Sequence, residues 1–154
     1  MSQVVRIEVR LPDGHWAGEA TRESPSSTLQ IIETMPLGKG RGTAQISTDE
    51  LLLNQLEHLS GVESVNLLDD NKATVTIASG GGGFIKALRV VGVVPRTPFE
   101  VIDGWADWTI QCSPSQAKQL IEEKRDYRCV RWGRRHACFL FWNHHQSQYF
   151  CLLE

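Results

Sequence analysis

The chain has 154 residues, a formal net charge of −2, 41% hydrophobic and 22% charged residues, the proportions of a globular protein with one ordinary domain or two small ones. A balance this close to neutral argues against a nucleic-acid coat, an acidic tail and a strongly halophilic source. No run of about 18 apolar residues exists, which excludes a membrane-spanning helix on length.

The N-terminus alternates, with Val5, Ile7 and Val9 on one face and Arg6, Glu8 and Arg10 on the other, which predicts a strand over 3–11 rather than a secretory signal. Pro12-Asp13-Gly14 is a turn. Residues 15–27 are polar and are expected to be irregular, with at most one helical turn. Strands are expected over Thr28–Met35 and Thr43–Ser47, joined by a flexible connection, Pro36 to Gly42. A helix follows from Thr48 to about Leu59, placing Leu52, Leu53, Leu56 and Leu59 on one stripe and ending at Gly61. Val62–Leu68 and Lys72–Ala78 flank Asp69-Asp70-Asn71, a hairpin signal. After Ser79 and Gly80 to Gly83 comes a second helix, with Phe84, Ile85, Leu88 and Val91 inward and Gly92 as its stop. Pro98–Ile102 and Trp105–Ile110 flank Asp103-Gly104, again a hairpin. A third helix runs from Pro114 to about Glu123, and a strand from Tyr127 to Trp132.

Two segments share one grammar: strand, Ser-x-x-Glu/Gln, helix, strand. Ser47 with Glu50 and Ser113 with Gln116 carry the reciprocal capping signature, in which each side chain satisfies the other's orphan amide. Pro114 suits the first helical position, where no N–H is needed. Residues 72–132 then spell βαββαβ, and residues 3–68 the same order with the first helix missing. The expected fold is α+β: two tandem ferredoxin-like (ACT-like) βαββαβ units, with antiparallel sheets and helices on one face. The expected boundaries are 1–70, 71–133 and a tail, 134–154; a single fused sheet is the rival arrangement. From Tyr127 to Leu153 the chain has no acidic residue. The tail is either a further strand over Ala137–Trp142 or a stretch with no native role, such as a truncated or out-of-frame end.

The run Phe84-Ile85-Lys86-Ala87-Leu88-Arg89-Val90-Val91-Gly92-Val93-Val94-Pro95, followed by Val101-Ile102-Asp103-Gly104-Trp105-Ala106-Asp107-Trp108-Thr109-Ile110, resembles one family. It is similar to the N-terminal regulatory half of archaeal transcription regulators related to the bacterio-opsin activator, including those named after dimethyl sulfoxide reductase genes. The resemblance covers about residues 3–132 and is one of pattern and hydrophobic spacing. It implies a cytoplasmic, non-catalytic sensor module that acts as a homodimer, through a small-molecule effector or a partner, without a cofactor and away from membranes. Three features depart from that family. Nothing after residue 132 has the paired amphipathic helices of a helix-turn-helix, so DNA would be reached only through a domain absent from this chain. The run Gly80 to Gly83 is foreign to the family, and the charge is milder than in its salt-loving members.

Ser79, Gly80, Gly81, Gly82 and Gly83, between a strand and a helix, form a candidate ligand-binding loop, since amides at a helix N-terminus hold anions. No P-loop Lys-Ser/Thr or spaced dinucleotide fingerprint accompanies them, and a flexible link is the plainer role. His136, Cys138, His144 and Cys151 supply zinc-ligand types, though at no ordinary finger spacing. Lys124, Arg125, Arg128 and Arg131, with Arg134 and Arg135, make a basic stretch interleaved with Tyr127 and Trp132. That stretch carries the alternative function, a nucleic-acid-binding ferredoxin-like module. Cys129 joins Cys112, Cys138 and Cys151 in a set without Cys-x-x-Cys spacing, as expected of a reduced compartment. For Cys112, beside the Ser113 cap, a helix dipole would raise the thiol's acidity and suit a redox sensor, but a buried, unreactive thiol is the plainer reading. Trp105 and Trp108 point to opposite strand faces. Trp16 is expected to cover the sheet face left open by the missing helix, and His15 and His58 to lie at the surface. No nucleophile–base pair can be assembled, so an enzyme is the weakest reading.

Overall fold

The computed structural model describes residues 3–81, 91–123, 129–132 and 138–141. Its strands are β1 (Gln3–Arg10), β2 (Thr28–Gly38), β3 (Arg41–Ser47), β4 (Val62–Leu67), β5 (Lys72–Ile77), β6 (Phe99–Ile102), β7 (Trp105–Cys112), β8 (Cys129–Trp132) and β9 (Cys138–Phe141); the helices are α1 (Trp16–Glu23), α2 (Glu50–Leu56) and α3 (Pro114–Glu123). The protein is α+β, and the pairings resolved between strands are antiparallel. The helix expected over 84–91 lies outside the described residues except for Val91. No described helix is long and apolar enough to cross a membrane.

The chain forms two compact units, but they are not successive halves. One contains Leu11–Phe84 and Thr97–Ala106; the other contains Met1–Arg10, Ile85–Arg96 and Asp107–Glu154. A boundary at 70/71 would cut the β4–β5 hairpin, which pairs Val65 with Val75 and Leu67 with Ala73. Residues 72–77, expected to open a second unit, instead lie between β3 and β4. Since β5 is antiparallel to both, β3 and β4 run parallel, with α2 as their crossover.

In the first unit the strand order is β4-β5-β3-β2-β6. β6 comes from late in the sequence and closes this sheet by pairing Leu29 with Val101 and Ile31 with Phe99. The β2–β3 hairpin is longer and tighter than a flexible connection. Pairing continues to Gly38↔Arg41, and the turn uses positive φ at Lys39 (54°) and Gly40 (76°), the geometry whose twist matches paired strands. Pro36 fits inside β2 because β6 pairs with β2 only as far as Ile31, leaving no ladder partner on that side among the described residues.

The polar segment 15–27 holds a full helix, so this unit does not lack its first helix. α1 spans Trp16–Glu23, and Trp16, Ala17, Gly18, Ala20 and Thr21 are buried. Its stripe is made of small residues, with Ala17, Ala20 and Thr21 all at 0% exposure, so a search for large apolar residues passes over it. His15 is not at the surface. It is the N-cap, and its Nδ1 accepts the Ala17 amide at 3.2 Å. Trp16 is the first helical residue and is buried.

α2 starts later than expected. Ser47 remains in the β3 ladder opposite Gln30 and Lys72, so it cannot cap. Asp49 does so instead, accepting the Leu52 amide at 3.0 Å and the Ser27 hydroxyl at 2.6 Å. Leu52, Leu53 and Leu56 are buried as their spacing requires.

One node fixes α1. The buried Thr21 hydroxyl donates to Ala17 O at 2.7 Å and accepts the Gly104 amide at 2.9 Å. Gly104 O accepts the Leu11 amide at 2.8 Å. Arg22 closes the ring, donating to Leu11 O at 3.0 Å and Pro12 O at 3.3 Å. Asp103 and Gly104 carry φ of 49° and 83°. A Cβ on Gly104 would also meet the Arg22 side chain at 2.6 Å.

The other unit orders its strands β7-β1-β8-β9, with Glu8 opposite Arg131 and Trp132 opposite Cys138. The expected tail strand is therefore β9. Burial along β7 alternates, with Trp108 and Ile110 inward and Trp105 half-buried. α3 opens as its sequence predicts. The Ser113 amide donates to Gln116 Oε1 at 3.0 Å and the Gln116 amide to Ser113 Oγ at 3.1 Å, with Pro114 as the first helical residue.

Two outcomes test these contacts. Thr21→Val strands the Gly104 amide without an acceptor and is expected to cost about 1–3 kcal/mol, read as a lower denaturant midpoint at unchanged slope, while Thr21→Ser loses less. Ser27 and Leu52 hold the Asp49 carboxyl below its ordinary value of 3.8. Its stabilising share is thus complete above about pH 4 and is lost as pH falls through the depressed folded value. Asp49→Asn, which can still cap, is expected to flatten the fall in denaturant midpoint below about pH 4.

Candidate functional site

The glycine corner is the first candidate, and its geometry is that of a packing joint. Ser79 and Gly80 are exposed, Gly81 is buried, and Gly82 and Gly83 lie outside the described residues. The Gly81 amide donates to Ala78 O at 3.0 Å, so it is not open to an anion, and Gly81 O accepts the Trp16 amide at 2.9 Å. That bond satisfies one of the orphan donors at the start of α1. Gly61 O accepts the Ala78 amide at 2.9 Å. A Cβ on Gly81 would lie 2.7 Å from Gly61 O and 3.1 Å from Gly61 Cα. Glycine is therefore required at 81 because two backbones cross there without room for a side chain.

The other candidates are only partly within view. Lys124, Arg125 and Arg128 lie outside the described residues, and Arg131 occupies β8 opposite Glu8. His136, His144 and Cys151 also lie outside, while Cys138 starts β9. Among the described residues no group of three metal-ligating side chains gathers. Cys112 is 3% exposed, and burial pushes its thiol up. Desolvation of the thiolate makes this the buried, unreactive thiol of the plainer reading and not a redox sensor's activated one. His58 is exposed, as expected.

The site the sequence did not indicate is a cleft of about 640 Å³ in the first unit, lined by Glu50, Leu53, Asn54, Leu67, Leu68, Asp69, Asp70 and Asn71. It follows from how far the helices reach. α1 packs over β6 and β2, with α2 beside it. Beneath that layer the inward residues Leu29, Ile31, Ala44, Ile46, Ala73, Val75 and Ile77 are buried. Along β4 burial fades: Val62 is buried and Val65 half-buried, but Leu67, opposite the fully buried Ala73 and so on the same face, is 68% exposed. Leu68 is 54% exposed. α2 forms one wall, and the β4–β5 turn closes one end. Asp69 Oδ1 accepts the Asn71 amide at 2.9 Å, and the Leu68 amide donates to Lys72 O at 2.8 Å, so the turn is ordered. Among the described residues no ion pair engages Glu50, Asp69 or Asp70. The sequence held one signal for this place: Leu67-Leu68 breaks the strand alternation just before two aspartates.

Gly81→Ala is expected to destabilise the chain by about 1–3 kcal/mol, since the clash is with backbone and cannot be relieved by a rotamer. In a phosphate titration followed by calorimetry, neither the wild type nor Gly80→Ala is expected to give heat from the corner.

Comparison with known proteins gives no identification: no family model, no curated protein and no solved structure matches this chain.

Proposed function

We propose that the chain is a non-catalytic regulatory module, of the archaeal transcription-regulator kind that its sequence resembles, and that it works by binding an effector or partner in the α2–β4 cleft. The observation that carries this reading is the cleft itself: a concave surface on a helix, a strand and an ordered turn, with apolar and polar groups converging. Such a surface suits reversible recognition. Its carboxylates and amides can fix an orientation, and Leu53, Leu67 and Leu68 supply apolar contact. The capped α3 after the Asp103-Gly104 hairpin supports the family layout on which the regulatory reading rests. Control by this module requires two states that differ in affinity for the bound species, because equal affinity shifts no equilibrium. A cytoplasmic homodimer is the setting we propose for it.

The test is an amide correlation spectrum of the full chain, titrated with a panel of small polar effectors and short peptides. Saturable shifts centred on Leu53, Asn54 and Leu67 to Asn71 are the expected result. Shifts confined to other surfaces, or turnover of a panel member, would refute the proposal.

A further inference from the structure

We infer that the cleft beside α2 receives a cationic amphipathic helix from a partner protein, its apolar stripe on Leu67 and Leu68 and its basic residues against Glu50, Asp69 and Asp70. This rests on the binding reading above and names the class of partner. The first argument is the unfinished helix layer. α1 packs over β6 and β2 with α2 beside it, and along β4 that cover runs out: Val62 is buried and Val65 half-buried, but Leu67 at the strand's end is bare. A helix is about 10 Å across, against about 4.8 Å between strands, so one more helix beside α2 would cover β4 and abut α2 along its length. Helices laid in apolar grooves bind through a stripe of such contacts.

The second argument is charge. Glu50 stands in the first turn of α2, and Asp69 and Asp70 in the β4–β5 turn, so all three carboxylates rim the same cleft. Lys72 is the neighbouring cation in sequence. It precedes the inward, fully buried Ala73 on β5 and therefore faces the opposite side of the sheet. The cleft is thus apolar at its floor and negative at its rim, with no ion pair from the described residues to neutralise it. A basic amphipathic helix complements both properties, whereas an acidic helix or a second copy presenting this same rim would bring like charges together.

The probe is a helical peptide of about 14 residues, Leu on one stripe and Lys on the other face, titrated into the full chain by calorimetry and amide shifts. A peptide of identical apolar pattern with Glu for Lys is the control. Saturable binding mapped to Leu53, Leu67 and Leu68 is expected for the Lys peptide alone. The variant Glu50→Gln, Asp69→Asn, Asp70→Asn should lose roughly five- to tenfold in affinity at low salt, with most of that difference gone at high salt. Leu67→Ser with Leu68→Ser, exposed changes expected to leave folding intact, should lose about tenfold or more. Equal binding of the Glu peptide would overturn the inference as apolar adsorption without charge recognition, and affinity that ignores the leucine pair would overturn it as charge-driven adsorption. If small effectors move the cleft resonances and neither peptide does, the partner class is wrong while the binding module stands; if nothing moves them, both readings fall.

Discussion

The first unit depends on a buried hydroxyl. Thr21 links an α-helix to a hairpin turn distant in sequence by accepting the Gly104 amide, and that amide can be offered only because Gly104 sits at a φ of 83°. Hydrogen bonds of this kind add little net stability, but leaving such a buried donor unpaired is costly. The bond is therefore a constraint on geometry more than a source of cohesion. With Gly104 O on the Leu11 amide and Arg22 on Leu11 O and Pro12 O, it fixes where α1 lies on the sheet.

The rest of the helix layer follows from α1. Its small-residue face lets it approach β2 and β6 closely, and α2 packs beside it. Ser24 donates to Gln55, and Ser27 to Asp49, so the loop after α1 is tied to α2 at two points. The layer then stops short of the far end of β4, where Leu67 is exposed while Val62 is buried. The cleft is therefore not a special device added to the fold but the strip of sheet that two helices cannot reach. The acidic turn beside it gives that strip a chemical character.

Much of the local structure was legible. Ser113, Pro114 and Gln116 specify the start of α3 because each bond in a capping box is made within a few residues. Asp103-Gly104 specifies its turn because few residue pairs tolerate positive φ twice running. The β4 and β5 bounds agree with the alternation to within a residue. The misreadings have physical causes. Ser47 has the capping spacing, but the β3 ladder holds it extended, and Asp49 takes the role. α1 hides behind Ala, Gly and Thr with a histidine cap, a type outside the usual capping set. Within the glycine run, Gly81 has a packing role invisible in the sequence, since Gly61, distant along the chain, crosses it at backbone distance.

Turns, caps and periodicity are enough to specify most strands, α2 and α3, two hairpins and the α+β class. These depend on torsions and hydrogen bonds within a few positions, so the information is local. That β6 pairs with β2 in the first unit, that β5 lies between β3 and β4, and that β1 belongs with β8 emerges only from the assembled chain. Strand partners are chosen by which distant apolar faces need cover, and similar alternating runs satisfy many pairings equally well. The cleft belongs to that second class, since a surface left uncovered is defined only once everything else has been placed.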